Sequence, residues 1–451
     1  MSQPSGKEFV YFQSQEKDEQ QQQKELSRDA LNKLLLALGR EAAREKTPQL
    51  QELEKTLQEI LTKEGINVNE LTEDDTTGKQ DDIKGEGTAV VKYLMQKGYL
   101  KEGKKWLSKQ GFMNIGSRIL TDVMKALKSG DLGLHETVKL GSGTTVLDTS
   151  KKYEPGGDIR LLNVPKSLLN TIERIVKNSN EIKFPLDIDI DDFEEYETMQ
   201  EVRVAIVYCI DLSSTMRYSS TIGEASRIEA AKRALWSLYV LNRKFFPTDT
   251  IYVVGFGALA SKVSPQDIPY LKTFEPGHDF LHYTNYQAAF RLAGKILQRD
   301  GALNKRIVLI TDGHPSACFV DNDYEKDKIL SARPYSHFYK PDGDTLDTVK
   351  NNQDMSLDMS SGELVYLCYR YRQVDPYIGM KTINEAKKCR SAGMEIDTLM
   401  VSEEDALLSY VNDMEKHVKG GSYYINPAHI DKLLITDYLS NKRQTVSTRS
   451  F

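Results

Sequence analysis

Cysteine is scarce in this chain of 451 residues: Cys209, Cys318, Cys368 and Cys389 stand far apart, and none belongs to a C-x-x-C pair. That spacing argues against a zinc site and points to a reducing compartment. No apolar run approaches the ~20 residues needed to cross a bilayer. The N-terminus, MSQPSGKEFV, lacks the charged-then-apolar pattern of a secretory signal. The expectation is a cytoplasmic protein with no membrane partner. Nor is there an excess of charge of one sign. Sixty lysines and arginines against 66 aspartates and glutamates leave a net charge of −6, which argues against nucleic acid as a general partner. The run GSGTT at 141–145 shares only its glycines with a phosphate loop and lacks the GK[ST] ending. No Ser/His/Asp or Cys/His arrangement stands in a recognised catalytic context.

What is present divides along the chain. Residues 1–25 are polar, with four consecutive glutamines at 20–23, and read as a disordered tail or a frayed helix start. Residues 26–87 hold two leucine-rich segments at helical spacing, expected as a helical hairpin, followed by an acidic linker. Residues 88–195 begin with a compact apolar block around Val90, Leu94, Trp106, Phe112 and Ile119, with turns expected at Gly98, Gly103 and Gly111. A poorly patterned, glycine-rich stretch at 129–157 and a helix from about Ser167 to Lys177 complete this unit. The acidic run DIDIDDFEEYE at 187–197 lacks the spacing of a calcium loop. It reads as a solvated face in which Ile188 and Ile190 touch something apolar. Lys104, Lys105, Lys125 and Lys128 read as scattered surface charge.

From residue 196 to 451 the pattern changes. VRVAIVYCID, IYVVGFG, RIVLITDG and EIDTLMVS are strand-length runs, the first two nearly continuous in apolar residues, as strands buried on both faces are. SYYIN is a final short strand. Helical segments alternate with them: 227–246, 285–297, 381–391 and 405–417. The fold class expected is α/β, a doubly wound and mainly parallel sheet with helices on both faces, preceded by a smaller, mostly helical region. One stretch, 316–380, is read as a long irregular insertion.

In such a sheet, sites form at the carboxyl ends of strands, where strand order switches. Three loops here carry oxygen ligands at such ends. The first strand runs into Asp211, Ser213 and Thr215. The third ends in Asp312. Between them Thr284 stands just before a helix. Two carboxylates and three hydroxyls make a hard, all-oxygen donor set suited to Mg²⁺ or Mn²⁺ rather than zinc. Neutral hydroxyls leave such a cation electron-poor, so an open coordination position would attract an outside carboxylate. His278 and His282, four apart, and His314 read as loop residues near that surface; a second, nitrogen-ligand site is the less favoured reading.

These motifs carry a resemblance. DLSSTM is similar to the D-x-S-x-S/T signature of von Willebrand factor A (VWA) domains, YTNYQAAFRLA to their threonine loop and its helix, and LITDGHPS to their second aspartate loop. The resemblance implies a metal-ion-dependent adhesion site (MIDAS) in which Ser213, Thr215 and Thr284 offer oxygens directly, and Asp211 and Asp312 do so directly or through water. FFPTDTIYVVGFG, AGMEIDTLMVS, GGSYYIN, GLHETV and YEPGGDIRLLNVPKSLLNTI resemble a prokaryotic intracellular subgroup whose members are thought to work beside AAA+ ATPases of the MoxR or magnesium-chelatase type. The implied function is a non-catalytic module that binds an acidic residue of such an ATPase, or of its client, through the cation. Two alternatives follow from relatives: a subunit of a magnesium-chelatase-like metal-insertion enzyme, and an RNA-binding VWA protein of the Ro type. The chain has no AAA+ module and no helical repeats of its own, which counts against each in turn.

Overall fold

The computed structural model describes residues 28–63, 89–126, 140–153, 161–179, 185–199, 203–219, 225–370, 373–402, 405–424, 430, 434–436 and 438. The expected polar tail and the acidic linker lie outside these residues. The chain forms two compact units: one holds residues up to 38 together with 48–111, the other residues 39–47 together with those from 112 onward.

Helix α1 (Arg28–Ala43) begins the described chain and runs from the first unit into the second; in the first, α2 (Leu50–Lys63) and α3 (Ala89–Gln96) pack on each other. Leu53, Leu57 and Leu61 recur at helical spacing and are fully buried. The buried Glu54 carboxylate accepts from the Val90 and Val91 N–H groups, donors that the first turn of α3 would otherwise leave without partners. Gly98 and Gly103 adopt positive φ, as turns require. Gly111 is not a turn. It sits in the first turn of α4 (Lys109–Ala126), where a Cβ would fall 2.0 Å from the Tyr99 carbonyl oxygen.

The second unit is built on a six-stranded sheet. Its strands are β3 (Val204–Asp211), β4 (Thr250–Phe256), β5 (Ala260–Val263), β6 (Asn304–Thr311), β10 (Met394–Met400) and β11 (Ser422–Tyr424), in the order β11-β10-β6-β3-β4-β5. All pairs are parallel except β4–β5. Helices α6 (Arg227–Phe245) and α7 (Tyr286–Gln298) pack on β3 and β4; α10 (Pro376–Ser391) and α11 (Asp405–Glu415) pack on β10. The chain leaves β3 toward β4 and later returns on the other side of β3 as β6. The switch in strand order therefore falls between β3 and β6, and the loops that follow those two strands diverge around one crevice.

Three expectations are corrected. Within 129–157 the described part is an ordered strand, β1 (Leu140–Lys152), antiparallel to β2 (Glu194–Met199). The acidic run is not simply a solvated face: Asp192 is buried, paired with Arg174 at 2.9 Å and accepting from the Thr171 hydroxyl of α5 (Val164–Ser179). Ile188 and Ile190 are instead exposed. Finally, 316–380 is not irregular. It folds as β7 (Ala317–Val320), α8 (Asp323–Ala332), β8 (His337–Tyr339), α9 (Gly343–Gln353) and β9 (Leu364–Leu367), with the three strands in an antiparallel sheet β7-β9-β8. Its core is Cys318, Val320, Ile329, Tyr366 and Ile378. Helix α10 then starts at Pro376, with the Asp375 carboxylate capping its first turn, five residues before the expected start.

Two contacts fix the crevice from below. Glu45 Oε1 accepts from the Thr273 N–H at 3.0 Å, and the next residue, Phe274, donates its N–H to the Leu212 carbonyl at 2.7 Å. Beside them the fully buried Lys232 donates to the Leu271 carbonyl; burial pushes its pKa down to about 8, against the pull of Glu45 and Glu229. The second contact is a close approach at Gly257, where a Cβ would lie 2.1 Å from the Leu281 carbonyl and 2.8 Å from the Phe274 ring. We expect Gly257→Ala to destabilise the protein by about 1–3 kcal/mol, because backbone must move to admit one methyl group. Gly343→Ala, with nothing within 4 Å of the added Cβ, should leave it unchanged. Thermal unfolding of both variants measures this; equal midpoints would refute the close approach.

Candidate functional site

The site begins where β3 ends. The register sets Ile210 beside Ile310, so Asp211 meets Thr311 across the strands. The Thr311 hydroxyl donates to Asp211 Oδ2 at 2.7 Å, and the Ser213 N–H donates to Oδ1 at 2.8 Å. Both oxygens of this fully buried carboxylate are thus held by donors of the protein itself. The chain then makes one 3₁₀ turn, Ser214–Arg217, with Met216 buried beneath it. That turn places the Thr215 hydroxyl 3.2 Å from the Ser213 hydroxyl and lets it donate to Asp312 Oδ1 at 2.8 Å.

The opposite wall is stapled more tightly. The Thr284 carbonyl accepts from the Ser316 and Ala317 N–H groups at 2.9 and 3.1 Å, and the Thr284 N–H donates to Ser316 Oγ at 3.0 Å. Asn285 caps α7 through the Ala288 N–H, and its side-chain amide donates to the Ala258 carbonyl. The Tyr286 hydroxyl donates to the Gly313 carbonyl at 2.6 Å, tying the start of α7 to the loop after β6.

Ser213, Thr215, Thr284 and Asp312 open onto one cavity of about 330 Å³. Asp211 lies behind them rather than on the cavity wall. The structure therefore brings all five sequence-predicted residues to the same place, four in front and one in support. His282 and His314 also line the cavity, whereas His278 is exposed and does not. Among the described residues no group of three or more His, Cys, Asp and Glu side chains stands together as a metal cluster would.

Further residues complete the wall, and of these sequence reasoning missed Arg227. Tyr283 and Tyr369 wall the cavity, with Tyr369 stacked on His314 at a ring separation of 5.8 Å. Arg227 reaches in from the first residue of α6 and pairs with Asp312 Oδ2 at 2.5 Å. One signal did point to it. A cation in the first turn of a helix opposes the helix dipole and calls for a nearby anion.

Electrostatics single out the two aspartates. Burial, and then the charge of Asp312, push the Asp211 carboxyl up to about 7. Burial raises Asp312 as well, against the pull of Arg227. With both ionised, one guanidinium leaves the crevice one net negative charge. Two buried carboxylates, flanked by hydroxyl oxygens and compensated by a single monovalent group, fit a hard divalent cation: the donors are all oxygen and the missing charge is positive. When bound, such a cation supplies Lewis acidity toward one outside oxygen. The protein's own part is to hold Thr215 and Ser213 on one side, Thr284 on the other, and the carboxylate charge beneath.

Residues 204–352 match the family described as "Rv0959-like protein, vWA domain". The uncharacterized proteins Rv0959 of Mycobacterium tuberculosis and Mb0984 of Mycobacterium bovis are each 25% identical over 245 residues, covering 53% of this chain and 34% of their own. The chain thus spans about a third of the length of these curated relatives. Among solved structures, the PilB minor pilin from Streptococcus sanguinis is 16% identical with a TM-score of 0.39, covering 60% of this chain and 68% of that one. The vWF domain of the type V pili tip protein Mfa5 from Porphyromonas gingivalis is 16% identical with a TM-score of 0.35, covering 55% and 95%. The SpRpn10 VWA domain is 13% identical with a TM-score of 0.29, covering 52% and 94%. No helix among the described residues is long and apolar enough to cross a membrane.

A pH dependence follows from the aspartate pair. Asp211 has its folded pKa raised, so in the absence of a divalent cation its contribution to stability is present at low pH and is lost as pH rises through about 7. Asp211→Asn removes that charge yet keeps the acceptor for the Ser213 N–H. In chelator, the thermal midpoint of the variant should gain on that of the unaltered protein between about pH 4 and 7, from the ordinary carboxylate range up to the raised value. A difference that stays flat across that range would mean the carboxylate is not strained by burial.

Proposed function

We propose that the vWA domain of this chain is a non-catalytic interaction module that holds one Mg²⁺ or Mn²⁺ at Asp211, Ser213, Thr215, Thr284 and Asp312 and presents it to an acidic side chain of a protein partner. The observation that carries this reading is the convergence of two buried carboxylates from adjacent strand ends with three hydroxyl-bearing residues around one small cavity. Neither aspartate is placed to act as a general base, since Asp211 is sealed behind the cavity and Asp312 is engaged by Arg227 and Thr215. The cavity is about the size of one or two side chains. Its wall of His282, Tyr283, His314 and Tyr369 suits a single inserted residue better than an extended chain.

The partner class we propose is an AAA+ ATPase of the MoxR or magnesium-chelatase type, or the client of such a machine. This step rests on the sequence resemblance alone, whereas the cation rests on the geometry. In the cell such a module would work in the cytoplasm, a placement that the sparse, unpaired cysteines support.

Calorimetric titration of the full chain with Mg²⁺ should show one site, and saturating Mg²⁺ should raise the thermal midpoint, because a ligand of the folded state stabilises it by mass action. Asp211→Ala and Asp312→Ala should each abolish both effects. Purified protein alone should turn over neither ATP nor ester substrates. Unchanged Mg²⁺ binding in both variants would falsify the assignment, and turnover lost in Asp312→Ala would show an enzyme instead.

A further inference from the structure

We propose that Arg227 is an internal competitor for the divalent cation, so that loading the site exchanges one ion pair at Asp312 for another. The inference rests on the metal reading above and adds a regulatory element to it. Three observations carry it. First, both oxygens of Asp312 are already engaged: Oδ1 by the Thr215 hydroxyl and Oδ2 by Arg227 Nη1 at 2.5 Å. Second, the guanidinium lines the same cavity as Thr215, Thr284 and Asp312, and its buried Nε has no hydrogen-bond partner. Its side chain is therefore held chiefly by the carboxylate a cation would need. Third, its place at the start of α6 is unfavourable for a positive charge, so the local backbone does not account for it.

The physical consequence is competition. A guanidinium does not lose its proton at any ordinary pH. A divalent ion arriving at Asp312 must therefore either displace it or stand beside a like charge in a poorly screened crevice, and both weaken binding. The same guanidinium makes the metal-free site tolerable. With it, the two aspartates carry one uncompensated negative charge; without it they would carry two. Arg227 thus stabilises the empty site at the expense of the loaded one. A merely structural ion pair would stabilise both alike.

Mg²⁺ alone is the probe. The full chain, Arg227→Gln and Arg227→Lys are titrated calorimetrically at one ionic strength, with thermal midpoints measured in chelator and in saturating Mg²⁺. Gln leaves the Ser226–Glu229 capping box of α6 in place. Arg227→Gln should bind Mg²⁺ about tenfold more tightly, or better, as loss of one like charge near a dication implies. Its chelator midpoint should fall and its Mg²⁺-induced shift should grow. Arg227→Lys, which keeps the charge, should lie between the two. Equal or weaker Mg²⁺ binding by Arg227→Gln, with the unaltered protein binding normally, overturns the proposal and leaves the metal reading intact. Absence of binding in all three overturns both. Should Arg227→Gln fail to fold, ¹⁵N-arginine spectra of the unaltered protein decide the matter. One guanidinium signal, assigned by its absence in Arg227→Lys, should shift when Mg²⁺ is added; a signal that stays put overturns the proposal.

Discussion

Two carboxylates buried at the ends of adjacent strands are the constraint around which this molecule is arranged. Asp211 and Asp312 fall together because β3 and β6 are neighbours in space though about a hundred residues apart in sequence. Parallel pairing places the ends of both strands at the same edge of the sheet. A pair of like charges in so dry a setting is unstable on its own account. The surrounding structure answers it piece by piece, with a threonine hydroxyl, a backbone N–H, a second threonine and a guanidinium. Other buried charges are met one at a time, as Lys232 is by the Leu271 carbonyl, Asp192 by Arg174, and Arg306 by Asp397 across β6 and β10.

The two walls of the crevice differ in kind. On the Thr284 side three hydrogen bonds to Ser316 and Ala317 fix the backbone itself, and the Asn285 cap and the Tyr286 hydroxyl add to them. On the Thr215 side the contacts run through side chains: a hydroxyl shared between Ser213 and Asp312, and an arginine. Side-chain contacts can be exchanged without unfolding a helix or a strand, so any rearrangement that a bound cation required would fall to the Ser213–Arg217 turn and Arg227.

How much of this was legible in the sequence depended on burial and length. Strands β3, β4 and β6 are buried on both faces, so their sequences are nearly continuous apolar runs and were placed to within two residues at each end. The five ligand candidates were legible because each stands at the end of such a run or just before a capped helix. β1 and β2 escaped notice because their sequences, LGSGTTVLDTSKK and EEYETM, carry no alternating apolar pattern; Lys151 and Glu195 pair across them. β7, β8 and β9 are three or four residues long, too short for any period to show. The start of α10 was readable in principle, since Asp375-Pro376 is a helix-opening pair. For Arg227 the sequence signalled only that a cation at the start of α6 wants an anion; which anion it did not say, because Asp312 lies 85 residues away.

Glu229 serves two masters. Its Oε2 accepts from the Ser226 N–H and closes the cap of α6; its Oε1 accepts from the N–H of Glu45, far upstream. The stretch that matches the family, residues 204–352, contains Glu229 but not Glu45, and it ends before β10 and α10. That stretch is consequently only part of one compact unit. A fragment cut to its limits would keep every candidate ligand while losing one neighbour of β6, the N–H that Glu229 accepts, and the carboxylate that steadies Thr273 beneath the crevice.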